Sequence, residues 1–122
     1  MVNKPKSNGQ KIFVTGVNGH IGNHIVRDLL AHGYSVKGSV RDLNDESKTQ
    51  HVVNHAKELD VTERLELVQG DILDGDNWSE LISDCDALFH TATIYSNTLD
   101  GQLIIDTAIL GTTHLLTAAR DA

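Results

Sequence analysis

Thr15-Gly16-Val17-Asn18-Gly19-His20-Ile21-Gly22 follows an apolar run, Ile12-Phe13-Val14, and opens a stretch of helical periodicity in which Ile21, Ile25, Val26, Leu29 and Leu30 recur every three to four residues. Strand, tight glycine turn, helix is the context in which a glycine fingerprint signals dinucleotide binding. Each glycine does something a side chain would spoil: one allows a sharp turn, one lets the backbone approach a pyrophosphate, and one lets helix and strand pack closely. The phosphates would then lie on the unpaired N–H groups and positive end of the new helix. The spacing here is G-x-x-G-x-x-G, one residue different from G-x-G-x-x-G. Glycines at this spacing also mark ordinary turns, so the flanking strand and helix carry the weight.

From that stretch the chain reads outward as alternating elements. Strands are expected at Lys11 to Thr15, Ser35 to Val40, Leu65 to Gln69 and Ala87 to Thr91. Helices are expected at Gly19 to His32, stopped by Gly33, and at Glu46 to Leu59, Asp76 to Ile82 and Gln102 to Ala119, with Asp76 as an N-cap or first-turn carboxylate. A βαβαβαβα order with short apolar strands predicts a Rossmann-type α/β fold, a doubly wound parallel sheet of about four strands with helices on both faces. Right-handed crossovers then put the glycine turn at the carboxyl edge of the sheet. Residues 1–10 are polar, contain Pro5 and Gly9, and are expected to be a flexible lead-in to a single domain over 11–122.

Composition narrows the partners. The 122 residues carry 10 Lys+Arg against 17 Asp+Glu, a net charge of −7, which argues against nucleic acid or an anionic membrane. An anionic cofactor must therefore rest on local basic groups and backbone dipoles. No run is apolar and long enough for a signal peptide or a membrane span, and the single cysteine, Cys85, suits a reducing cytosol and reads as a packing residue. His20/His24 and His51/His55 have the i,i+4 spacing of zinc ligands but no acidic or cysteine third ligand, so they read as surface histidines and no metal is expected.

A doubly wound site also needs a group after its second strand to read the adenosine ribose: a carboxylate for the 2′-hydroxyl of NAD, an arginine for the 2′-phosphate of NADP. Here Arg41 and Asp42 stand side by side. Arg41 can pair a phosphate through two N–H groups, and Lys48 adds a second cation, whereas Asp42 pointing inward would repel it. Arg41 inward is favoured, with inward Asp42 and a solvated loop of mixed charge as the alternatives. Asp71 can accept a hydrogen bond from an adenine amine, and an aspartate after glycine is equally a turn residue.

Val14 to Gly22, Val40-Arg41-Asp42, Gly70-Asp71-Ile72-Leu73-Asp74, Cys85 to Ala92 and Gly111-Thr112 run through almost the whole chain. In that order they resemble the extended short-chain dehydrogenase/reductase superfamily, the NAD-dependent epimerase/dehydratase group, with a likeness to its dihydroflavonol reductase and cinnamoyl-CoA reductase branch. The resemblance implies a cofactor site of Gly16, Gly19, His20, Ile21, Gly22, Arg41, Lys48, Asp71, Ile72, Thr91, Ala92 and Thr93, with Arg41 and Lys48 favouring NADP(H) over NAD(H). Asp71 and Ile72 would meet the adenine, and Thr91, Ala92 and Thr93 would let the backbone pass the ribose and pyrophosphate. His90 matches a position read as structural.

The implied chemistry is hydride transfer to a small-molecule carbonyl substrate, assisted by a tyrosine whose pKa is lowered by a lysine four residues on. Tyr34 and Tyr95 are followed at that distance by Gly38 and Leu99, so no catalytic residue is assigned in this chain. The chain reads as the cytoplasmic, truncated nucleotide-binding front part of a carbonyl reductase. A non-catalytic NADP-sensing module, or the front half of an NAD-dependent sugar-nucleotide epimerase, is the alternative; the latter would want a carboxylate where Val40 stands. With the fourth strand at an edge, the last helix (Leu103, Ile104, Ala108, Leu115 and Leu116) would lose part of its sheet, and its family counterpart lies near a dimer interface. Homo-association through that helix is expected.

Overall fold

A computed structural model of the protein describes residues 4–72, 77–92 and 101–121. Four strands, β1 (Lys11–Thr15), β2 (Ser35–Val40), β3 (Leu65–Gln69) and β4 (Ala87–His90), form one parallel sheet in the order β3-β2-β1-β4. Among the described residues four α-helices alternate with them: α1 (His20–Ala31), α2 (Glu46–Glu58), α3 (Trp78–Ile82) and α4 (Gly101–Asp121). β1, an interior strand, is buried from Ile12 to Thr15, and successive side chains on it serve opposite faces. Ile12 and Val14 join Val26 and Leu30 of α1 and Val52 and Ala56 of α2 in one core. Phe13 points the other way, into a core with Trp78 and Ile82 of α3 and Leu115 and Ala118 of α4, where its ring meets the Trp78 ring edge-on at 6.0 Å. Helices therefore cover both faces of this four-stranded, Rossmann-type sheet.

The expected bounds of β1, β2 and β3 coincide with those observed, and β4 ends one residue early because Thr91 turns back onto Thr15. Three expectations change. Helix α3 starts at Trp78, with Asn77 in the N-cap position making no side-chain cap bond; the expected cap, Asp76, lies outside the described residues. Ile21 is not a core residue: at 66% exposure it stands in the first turn of α1, above the strand ends, where there is no sheet to cover. Leu116 is likewise exposed, because Leu115 and Ala118 take the sheet-facing side of α4 and Leu116 lies a hundred degrees round the helix from Leu115. Ile105, Ile109 and Leu110 share its exposure. No described helix is long and apolar enough to cross a membrane.

Candidate functional site

The carboxyl ends of the strands open into a cleft of about 1250 Å³. The turn from β1 to α1 supplies one wall. The backbone N–H groups of Gly16 and Val17 both donate to Ser39 O (3.1 and 3.2 Å), tying the turn to β2, and Gly19 N–H donates to Gly16 O at 3.0 Å. The three glycines are not equivalent. Gly16 has φ +68°, a left-handed conformation, and a Cβ there would lie 2.8 Å from Ala92 Cα. At Gly22 a Cβ would stand 2.2 Å from Gly16 O and 3.0 Å from Thr91 Oγ1, so its bareness lets α1 close on the turn and on β4. Gly19 lines the cleft, and its added Cβ would meet only Gly16 O, at 3.3 Å. It is also the N-cap of α1, whose first turn carries no acidic side chain. The helix thus presents unpaired N–H groups and the positive end of its dipole to the cleft with no carboxylate of its own competing for them.

The other walls come from the remaining strand ends. After β2, Arg41, Asp42 and Asn44 line the cleft, with Lys48 from the first turn of α2. Asn44 N–H donates to Asp42 Oδ1 at 3.0 Å, and Leu43 N–H donates to Gln69 Oε1 at 3.1 Å, which pins this loop to β3. Both candidate ribose readers, Arg41 and Asp42, therefore face one cleft, and Arg41 lies 3.8 Å from the Asp71 carboxylate. Lys48 pairs with Asp45 at 3.7 Å. Asp71 and Ile72 follow β3, and Thr91 and Ala92 follow β4, on the same cleft. Eleven of the twelve expected cofactor residues line this one opening; the twelfth, Thr93, is outside the described residues.

Behind the cleft lie two polar contacts that the sequence pattern does not show, and the second takes His55, read as a surface histidine, into a half-buried place. Thr15, fully buried, accepts from the N–H groups of Thr91 (2.9 Å) and Ala92 (3.1 Å) at its hydroxyl oxygen and lies 2.7 Å from His90 Nδ1. Two acceptances leave the hydroxyl proton for His90 Nδ1, so the imidazole is neutral with its hydrogen on Nε2. Burial pushes the pKa of His90 below the usual histidine value, in agreement. Asn23 and His55 form a second polar contact, between α1 and α2, at 3.1 Å. The His55 pKa is also lowered, by burial first and then by Arg27. Cys85 is half-buried, and burial together with Asp84 raises its thiol pKa to about 11, so it is no nucleophile. Among the described residues no group of three or more His, Cys, Asp or Glu is arranged to hold a metal ion.

A family model described as GDP-mannose 4,6 dehydratase matches residues 13–122. Cinnamoyl-CoA reductase 1 of Petunia hybrida is 36% identical over 115 residues, 93% of this chain and 32% of the relative. The bifunctional dihydroflavonol 4-reductase/flavanone 4-reductase of Pyrus communis is 36% identical over 87 residues, 71% of this chain and 24% of the relative. Among solved structures, the UDP-glucose-4-epimerase of Stenotrophomonas maltophila, with bound NAD and formylated UDP-arabinopyranose, aligns at a TM-score of 0.73 with 28% identity. The alignment covers 93% of this chain and 34% of that one. The chain spans between a quarter and a third of the length of these curated relatives.

Proposed function

The chain belongs to the extended short-chain dehydrogenase/reductase superfamily, and from that membership we propose that residues 11–122 are the dinucleotide-binding part of an oxidoreductase that reduces a carbonyl to an alcohol with NADP(H). The observation that carries this reading is the unequal placement of the three glycines. Gly16 and Gly22 are bare so that the turn can close, while Gly19 is bare where the backbone faces the cleft. A turn that only had to reverse the chain needs the first two and not the third. The fit to a pyrophosphate is chemical as well as steric: a helix start with no side-chain cap and no acidic side chain in its first turn.

Within this reading Gly16, Gly19, His20, Ile21 and Gly22 cradle the pyrophosphate, Asp71 and Ile72 receive the adenine, and Thr91, Ala92 and Thr93 pass the ribose. A nicotinamide dinucleotide bound there would supply the hydride. Residues 1–122 contribute binding and orientation; no Tyr-x-x-x-Lys occurs among them, so no proton donor is assigned in them. Reduction of a carbonyl is inferred from the cinnamoyl-CoA and dihydroflavonol reductase relatives.

Preference for NADP(H) follows from Arg41 and Lys48 on the ribose wall. A charge-assisted contact contributes about 1.5–3 kcal/mol, on the order of ten- to a hundredfold in affinity. Asp42 on the same wall supports the competing NAD reading. Calorimetric titration with NADPH and NADH, on the parent and on Arg41→Ala, separates them. Tighter NADPH binding that Arg41→Ala abolishes supports the assignment, and equal affinities or an indifferent mutant refute it.

A further inference from the structure

We propose that Asn23 and His55 are positioning residues for the cleft-facing end of α1: they hold two peptide planes so that the N–H groups of His20 and Ile21 aim at the dinucleotide's phosphates. The inference rests on the dinucleotide reading above and deepens it. Asparagine in the first turn of a helix competes with the helix for backbone partners, and here it is buried rather than turned to solvent. Its side-chain nitrogen donates to Gly19 O at 2.7 Å and to His20 O at 2.8 Å, using both amide hydrogens. The reversed amide would set its oxygen against two carbonyls, so the orientation follows from the partners. Oδ1 then has to accept, and His55 Nε2, 3.1 Å away on α2, donates to it.

The consequence lies on the far side of the two peptide bonds. In a trans peptide the carbonyl and the next N–H share one plane and point in opposite directions. Anchoring Gly19 O and His20 O therefore fixes the N–H groups of His20 and Ile21, and both residues line the cleft. His55 sets where Asn23 stands, and it does so from the helix that also carries Lys48. Seven residues, almost two turns, separate Lys48 from His55, so they share a face of α2. One contact thus registers the phosphate-facing donors of α1 against the cation of the ribose wall.

The test is a titration of the whole chain with NADPH and, separately, with adenosine 2′-monophosphate, which offers the ribose wall its phosphate and lacks the pyrophosphate. His55→Leu removes the donor and His55→Gln restores an N–H at similar reach. His55→Leu is expected to weaken NADPH roughly five- to tenfold and His55→Gln less than about twofold, with adenosine 2′-monophosphate unchanged in both. Asn23→Ala should weaken NADPH about tenfold, and adding His55→Leu to it should cost nothing further. If Asn23→Ala does not fold, the His55 pair decides. NADPH binding by His55→Leu equal to the parent, failure of His55→Gln to rescue, or an equal loss of adenosine 2′-monophosphate would each overturn the proposal. A parent that binds adenosine 2′-monophosphate and NADPH while all variants match it sinks this inference alone; a parent that binds no NADPH sinks the dinucleotide reading and this inference with it.

Discussion

Replacing Gly22 by alanine sets two effects against each other, and the structure says which wins. Inside a helix, alanine is favoured over glycine by roughly 1 kcal/mol because it loses less backbone freedom. The new Cβ, however, would lie 2.2 Å from Gly16 O and 2.9 Å from Gly16 C, backbone atoms of a turn whose N–H is already bonded to Ser39 O. It would also press on Thr91 Oγ1, which donates to Thr15 O. The two nearest atoms are backbone and cannot swing aside, so α1 must lift from the sheet at a cost of about 3 kcal/mol. The net loss is then about 2 kcal/mol, a fall of roughly 5–10 °C in Tm for a domain of this size. Gly19→Ala is the control. Its Cβ meets only Gly16 O at 3.3 Å and its φ of −77° suits alanine, so the loss should stay at about 0.5–1 kcal/mol, the cost of alanine for glycine at an N-cap, while the methyl occupies the cradle and NADPH affinity falls. Urea titration followed by circular dichroism measures the first effect and calorimetry the second. A Gly22→Ala protein as stable as the parent, or a Gly19→Ala protein that binds NADPH unchanged, would refute the division of labour assigned to the glycines.

Other expectations follow from charges and surfaces. Asp84 accepts from Lys11 (2.7 Å) and from the buried Lys37 (3.3 Å) at the amino end of the sheet, and Lys11 above all holds its pKa at about 2 instead of 3.8. At full value that depression is worth about 2 kcal/mol; with half the carboxylate in solvent, roughly 1 kcal/mol. Because the folded pKa is the lower one, this stability is complete above pH 4–5 and is lost as the pH falls toward 2, and Asp84→Ala should flatten urea midpoints measured across that window. His90 titrates below its ordinary 6.5 when folded, so the unfolded chain binds the proton first and stability should decline as the pH drops below about 6.5. Thermal melts of His90→Gln should show a shallower decline over that range, His55 supplying what is left. The exposed residues Ile105, Ile109 and Leu116 on α4 are expected to drive self-association; light scattering over a concentration series should show it reduced in Ile109→Lys and Leu116→Lys, and an unchanged profile would remove α4 from the interface.

Local pattern by itself determined the elements and their order. β1 is legible as a short apolar run, and β2 and β3 as short segments in which Val36 and Val40, and Leu65 and Leu67, alternate with polar residues, because periodicities of two and 3.6 act over neighbouring residues. The same locality placed the glycine turn, and with it Arg41, Lys48, Asp71, Ile72, Thr91 and Ala92, since the carboxyl ends of parallel strands converge on one edge. Tertiary structure alone showed how each residue there is placed. Spacing could not tell Gly19 from Gly22, because the difference is the distance of a missing methyl from atoms of the turn and of β4. A short loop brings the adjacent residues Arg41 and Asp42 to the same cleft. Ile21 and Leu116 fit an apolar helical stripe but found no sheet beneath them, one above the strand ends and the other turned away from the core. Thr15 with His90, and Asn23 with His55, pair across 75 and 32 residues, and a hydrogen bond between distant segments leaves no trace in the local pattern of either.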